Sequence, residues 1–264
     1  MIPWSEVRNE TDMTSRELTI VPIGEVPLVK PGDALPSLLV ECMRSIRTEL
    51  QSGDVLVVSH TIVSIAEGQL YLLSEIEVSE KAGKLAADLG RGPEYVQLAL
   101  DNSVEVIRER PVLITRTAHG LVTDYSGVDQ SNAPPGHALA LPSDPDASAQ
   151  AIHTAISKEL GLEMPVIIAD TQGRPWRRGA INLAIGVAGM SPFLDNAGRL
   201  DRFGRKLRSS RVCVADEIAA AAELVMGQAD EGIPAAVVRG LVLKGNGLGS
   251  AKLIPRDPGT DLFS

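Results

Sequence analysis

Apolar positions recur along this chain in two rhythms, one of period two and one of helical spacing, and together they predict strands and helices interspersed from end to end. Leu18 to Ile23 reads as a strand. After the loop Lys30-Pro31-Gly32-Asp33, the residues Leu38, Leu39, Cys42, Met43, Ile46 and Leu50 predict one helix closed by Gly53-Asp54, and Val55 to Ser59 is a second buried strand. Helices are expected over Ser79 to Leu89, stopped by Gly90, and again after Pro93, with strands at Val104 to Ile107 and Val112 to Arg116. Ala147 to Leu160 is a helix that Asp146 can cap and Gly161 can end.

Val166-Ile167-Ile168 is too short for a buried helix and fits a strand covered on both faces, which puts Asp170 at its carboxyl end before a turn at Gly173. Ala180 to Ala188 is a strand whose Gly186, with Gly189, suits close approach by another backbone. Val212 to Ala215 predicts a further strand, Ile218 to Met226 a helix begun by Asp216-Glu217 and stopped by Gly227, and Ala235 to Val238 the last strand. Residues 1 to 17 lack periodicity and read as a flexible N-terminal extension. The fold class is α+β, a mixed α/β arrangement over residues 18 to 264.

Composition narrows the function. A formal charge of -9 argues against nucleic acid or an anionic membrane as partner, since a duplex binder needs a basic footprint. Any anionic ligand must then be held by a local group of arginines and lysines. No apolar run is long enough to span a bilayer and Met1-Ile2-Pro3-Trp4-Ser5-Glu6 lacks the order of a signal peptide, so a cytoplasmic protein is expected. Cys42 and Cys213 lie in apolar-periodic stretches and read as small core residues.

Candidate chemistry concentrates at Asp170-Thr171-Gln172-Gly173-Arg174-Pro175-Trp176-Arg177-Arg178-Gly179. An acid at a strand end beside a hydroxyl and three guanidinium groups suits a divalent metal held against phosphate oxygens, the alternative being a turn with solvated arginines. In Gly127-Val128-Asp129-Gln130-Ser131-Asn132, Asp129 and Asn132 can face one site or simply form an Asx-turn. Hard cations such as Mg²⁺ or Mn²⁺ take two aspartates from separate loops, so Asp129 and Asp170 are the candidate pair. The motif Gly-x-x-x-x-Gly-Lys-Ser/Thr is missing, which excludes a P-loop, and Gly245 to Gly249 opens no clear helix and reads as a flexible turn. The charged loop from Asp195 to Arg205 could close over a ligand.

Ala66-Glu67-Gly68, Gly127 to Asn132, Pro142-Ser143-Asp144-Pro145-Asp146-Ala147-Ser148-Ala149, Asp170 to Gly179 and Ala215-Asp216-Glu217-Ile218-Ala219 occur in the order seen in one family. The chain resembles the coenzyme F-420 gamma-glutamyl ligases. The resemblance implies a two-lobed fold, an intertwined homodimer and a GTP-dependent ligase using two divalent metals, Mg²⁺ or Mn²⁺, with K⁺ as a further candidate cation. In family terms, GTP phosphorylates the terminal carboxylate of the lactyl-phosphate deazaflavin precursor, and L-glutamate attacks the resulting acyl phosphate. Carried over by position, metal binding falls on Asp129, Asp170, Thr171 and Gln228, and catalysis on Asp129, Asp170, Arg174 and Arg178. Nucleotide contacts fall on Val26, Pro27, Leu28, Val29, His60, Thr61 and Asn132, and on Met226, Gly227, Gln228, Ala229, Asp230, Glu231, Gly232 and Ile233.

Three positions depart from the common pattern. Ile65 stands where the resemblance expects a phosphate-binding lysine, Gln228 where a common form has a second-metal carboxylate, and His60 where a serine precedes the threonine. Loss of the lysine removes a phosphate cation, and a neutral amide holds a metal more weakly than a carboxylate. Ligation of a related acid or amine, or a non-catalytic nucleotide-binding or regulatory role, therefore stays open beside the ligase reading.

Overall fold

A computed structural model of the chain describes residues 17–243 and 249–260. Apart from Glu17 and Gly249, the expected N-terminal extension and the expected glycine turn lie outside the described residues.

The chain opens with strand β1 (Thr19–Ile23), helix α1 (Leu35–Ser45), strand β2 (Val55–Ser59) and, with no residue between, helix α2 (His60–Ala66). Strand β3 (Leu70–Leu72) precedes helices α3 (Glu80–Leu89) and α4 (Pro93–Asp101), then strands β4 (Glu105–Arg108), β5 (Ile114–Arg116), β6 (Val122–Asp124) and β7 (His137–Leu139). Helix α5 (Pro145–Leu160), strands β8 (Val166–Arg174), β9 (Arg177–Ala188), β10 (Phe193–Asp195) and β11 (Arg211–Cys213), helix α6 (Val214–Met226) and strand β12 (Ala235–Arg239) follow.

The main sheet runs β1-β12-β2-β8-β9. Its pairs are antiparallel except β2 and β8, which run parallel from Leu56 opposite Val166 to Ser59 opposite Ala169. Strand alternation splits the apolar residues between two faces. Leu56, Val58, Val166 and Ile168 pack with Leu39 and Met43 of α1 and Ile152 and Ile156 of α5. Val55, Val57, Ile167 and Ala169 pack with Ile218, Ala219 and Ala222 of α6 on the opposite face. Burial of each such large aliphatic side chain stabilises by about 1.5–3 kcal/mol before chain entropy is counted. A smaller cluster gathers Leu85, Val96, Leu98, Leu113 and Tyr125 from α3, α4 and the β4-β5-β6 segment.

Several expected boundaries move, each for a local reason. Helix α1 ends at Ser45, and Ile46 is already extended, so Leu50 reaches the core from irregular backbone. Helix α5 begins earlier than expected because Pro145 takes its first position, and Asp144 rather than Asp146 is the cap, accepting the Ala147 N–H at 3.2 Å. Asp146 instead links separate elements. Its Oδ1 accepts the N–H groups of Val187 and Ala251, both at 2.8 Å, and so ties α5 to β9 and to the C-terminal segment. The chain does not turn at Gly173. Strand β8 continues to Arg174 and the hairpin turns at Pro175-Trp176. Helix α6 starts at Val214, before the expected Ile218.

The close approach expected along Ala180 to Ala188 is present at Gly186, where a Cβ would lie 2.3 Å from the Pro145 carbonyl oxygen. Both cysteines are free thiols. Burial pushes the Cys213 thiol up to about 12. No helix among the described residues is long and apolar enough to cross a membrane.

Candidate functional site

The one parallel pair of the sheet sets the site. Carboxyl ends of adjacent parallel strands open a crevice where α/β proteins bind ligands. Ser59 pairs with Ala169, so the next residues on the two strands, His60 and Asp170, become neighbours. Their side chains meet: His60 Nε2 stands 3.2 Å from Asp170 Oδ1, and the two residues are 5% and 7% exposed. Gln172, two residues further along the same face of β8, donates its Nε2 to the other oxygen of Asp170 at 3.1 Å. On the far side of the ring, His60 Nδ1 lies 3.4 Å from Ser64 Oγ.

Asp129 comes from a separate loop. Its backbone N–H and C=O both bond to Leu139 of β7, at 3.0 and 2.7 Å, which fixes the loop against a buried strand. The carboxylate forms the anticipated Asx-turn, with Oδ1 accepting the N–H groups of Gln130 at 2.7 Å and Ser131 at 2.9 Å. It also acts on His60 through space. Burial disfavours the charged imidazole, but the adjacent Asp170 charge, the hydrogen bond to it and the Asp129 charge together raise the His60 pKa above its ordinary value. Both candidate aspartates therefore bear on one side chain. Asn132 is exposed and sits in the left-handed region at φ +54°.

Thr171 alternates to the opposite face of β8. Its Oγ1 donates to Asn182 Oδ1 at 2.6 Å and accepts from Gln228 Nε2 at 2.7 Å. Asn182 is in turn held by Glu223 of α6, whose Oε2 accepts the Asn182 N–H at 2.9 Å. Two polar groupings thus flank β8, one around Asp170 with His60 and Gln172, the other around Thr171 with Gln228 and Asn182. Their oxygens are the hard donors that Mg²⁺ or Mn²⁺ prefers, and no lysine or arginine among the described residues neutralises Asp170. The described residues contain no cluster of three His, Cys, Asp or Glu side chains, so a cation here would draw part of its shell from water and substrate.

The arginines are placed differently. Arg174 Nη2 donates to the carbonyl oxygens of Arg178 and Gly179 at 3.1 and 3.4 Å, bracing the β8-β9 hairpin, while its buried Nε finds no acceptor among the described residues. Among the described residues no hydrogen bond or ion pair links Arg174 or Arg178 to Asp129 or Asp170.

Of the loop positions, Leu28 and Pro27 are exposed, Val29 is buried and Val26 packs against the main core. Thr61 N–H donates to the capping Ser59 Oγ. Met226 is buried at the end of α6, and Gly227 takes φ +73°. Glu231 folds back over Gly227 and its Oε2 accepts the Ala229 N–H at 2.8 Å; backbone N–H groups in this turn hold its carboxyl below the usual range. Gln228, Ala229, Asp230, Glu231 and Gly232 are exposed or nearly so, and Ile233 packs against the α6 core. Ile65, at the position of the expected lysine, is 8% exposed and lies in the main core. Of the Asp195 to Arg205 stretch, Asp195 ends β10 and the rest belongs to the long connection between β10 and β11, braced by Asp201, whose Oδ1 accepts the N–H groups of Phe203 and Arg205 at 2.9 Å.

Sequence reasoning missed Gln172, Asn182, Ser64 and Glu223. The period-two rule from Asp170 points to Gln172, and Ser64 lies one helical turn from His60 within α2, a relation visible only once α2 is recognised; Asn182 and Glu223 reach the site through tertiary contacts.

The family model for F420-0:Gamma-glutamyl ligase matches residues 24–240. A relative named coenzyme F420:L-glutamate ligase from Methanothermobacter thermautotrophicus is 44% identical over 224 residues, covering 84% of this chain and 89% of its own. Proteins of the same name from Methanopyrus kandleri and Archaeoglobus fulgidus are each 43% identical, covering 93% and 86% of this chain and 97% and 90% of their own. On these matches, which span both candidate aspartates and the loops around them, the chain belongs to the F420-0:gamma-glutamyl ligase family.

Proposed function

We propose that this protein is a coenzyme F420:L-glutamate ligase that uses GTP to join L-glutamate to the lactyl-phosphate deazaflavin precursor. Family membership across most of the chain supports the reaction class. The observation that carries the site is the buried Asp170, placed beside His60 at the carboxyl end of the parallel β2-β8 pair with no lysine or arginine among the described residues paired to it.

Asp129 and Asp170 would hold one divalent cation, and Thr171 with Gln228 would help hold a second, Mg²⁺ or Mn²⁺ in each case. Such ions, with K⁺ as an auxiliary, supply charge neutralisation for phosphoryl transfer. The loops carrying Val26 to Val29, Asn132 and Met226 to Ile233 are the nucleotide contacts in this reading. A carboxylate is a poor electrophile. An oxygen of the precursor carboxylate attacks the γ-phosphorus of GTP, the bond to the β-phosphate breaks and GDP leaves. The glutamate amine then attacks the acyl carbon, inorganic phosphate departs and the nitrogen loses its proton, giving the amide. We place the active form as a cytoplasmic homodimer.

The test is mass spectrometry of the deazaflavin together with GDP release. Glutamate addition and GDP release that require precursor and glutamate together support the reading; GTP binding with no turnover under the same conditions overturns it. The burial of Ile65 where a phosphate-binding lysine was expected favours one second reading, a nucleotide-binding protein without ligase activity. The same assay separates the two.

A further inference from the structure

We propose that His60 is a positioning residue for Asp170, fixing the carboxylate that the functional reading assigns to a divalent cation, and that Ser64 fixes His60 in turn. The proposal rests on that reading and adds residues that hold its metal ligand.

Helix α2 starts directly after β2, so the His60 side chain is thrown across the parallel pair instead of out to solvent. The ring is nearly enclosed, Ser64 is fully buried, and Gln172 is buried as well. A neutral imidazole carries one donor and one acceptor. Ser64, four residues on and one helical turn away, faces Nδ1 at 3.4 Å. If its Oγ–H donates there, the ring proton resides on Nε2, where it points at Asp170 Oδ1 at 3.2 Å. Gln172 Nε2 grips Oδ2 at 3.1 Å. The carboxylate is thus oriented from both oxygens, and each oxygen keeps a lone pair for a further ligand. Partners of this kind orient metal ligands in known metal sites.

A purely structural role explains less. Taking a carboxylate and an imidazole out of water costs desolvation that offsets most of the gain from their hydrogen bond, so the buried pair adds little net stability compared with apolar residues of the same shape. The ladder from Leu56 to Ser59 and the apolar side chains on both faces already hold β2 against β8. What those contacts do not do is set the plane of the Asp170 carboxylate.

The experiment titrates Mn²⁺ alone into the full-length protein and reads free Mn²⁺ by electron paramagnetic resonance, with thermal melting as the check on folding. His60→Leu keeps volume and removes the donor, and Mn²⁺ affinity is expected to fall by about 10–100-fold. His60→Gln can return an amide N–H near the Nε2 position, and affinity is expected to recover to near the wild-type level. Ser64→Ala should weaken binding by less than His60→Leu. A His60→Leu variant that folds and binds Mn²⁺ as wild type does overturns the proposal, as does a His60→Gln variant no better than His60→Leu. Should His60→Leu fail to fold, Ser64→Ala decides, and unchanged affinity there overturns the idea. Wild-type protein that binds no Mn²⁺ removes the metal reading itself, a result distinct from equal affinities across the variants.

Discussion

Gly186 of β9 lies against the carbonyl of Pro145 at the start of α5, so closely that the helix N-terminus and the edge strand share one van der Waals contact surface. Neither neighbour has room to yield, since Asp146 bonds the Val187 N–H immediately beyond. Gly186→Ala should therefore cost about 1–3 kcal/mol by overpacking. Urea unfolding would show a lowered midpoint with an unchanged slope; a midpoint equal to wild type would mean that the helix start can move.

Asp170→Asn removes a negative charge and almost no volume. Glutamate ligation should drop by at least about 100-fold while the fold survives, because the charge that would hold a cation against phosphate is lost. Turnover measured by GDP release, next to the melting temperature, checks this, and retained turnover would remove Asp170 from the mechanism.

Restoring the expected lysine has a different consequence once the location of Ile65 is known. Its side chain packs in the main core, so Ile65→Lys buries an amine without a partner and deletes apolar contacts. A loss of roughly 2–5 kcal/mol is expected, with no gain in nucleotide affinity. Melting curves and a GTP titration decide the matter. Normal stability with tighter GTP binding would show that this side chain can swing out to phosphate.

Asp54 and Arg239 offer a control remote from the chemistry. Asp54 is buried at the start of β2, and Arg239 of β12 meets it with two donors, Nε to Oδ1 at 2.8 Å and Nη2 to Oδ2 at 2.6 Å. Arg239→Met leaves the carboxylate buried and unpaired, which costs about 3–5 kcal/mol. Activity per folded molecule should stay at the wild-type level below the melting transition. A variant as stable as wild type would show that the Gln51 N–H, which donates to Oδ2 at 2.9 Å, is enough to hold the carboxylate.

How much of this was legible in the chain depends on scale. The runs Val55 to Ser59 and Ala235 to Val238 were readable as short continuous apolar strands, and the helix ended by Gly161 by its length, period and stop. Strands β3, β6, β7 and β10 have three residues each, too few for a period to show, and they pair only because longer elements bring them together. Helix α2 was missed since His60 to Ala66 is rich in β-branched residues and its cap, Ser59, is also the last residue of strand β2. The candidate acids were visible, but their relation to His60 was not. It arises from the register of Ser59 against Ala169, and no local pattern encodes which strand a strand will choose.

That register also dictates when the meeting of His60 and Asp170 can occur. Parallel partners cannot be joined by a tight turn, and the whole stretch between Ser59 and Val166 is the crossover. Closing so large a loop is entropically slow, so native pairing here belongs among the late events of folding. A chain emerging from the ribosome holds His60 long before Asp170 has been synthesised, and the two side chains meet only after strand β8 has taken its place beside β2.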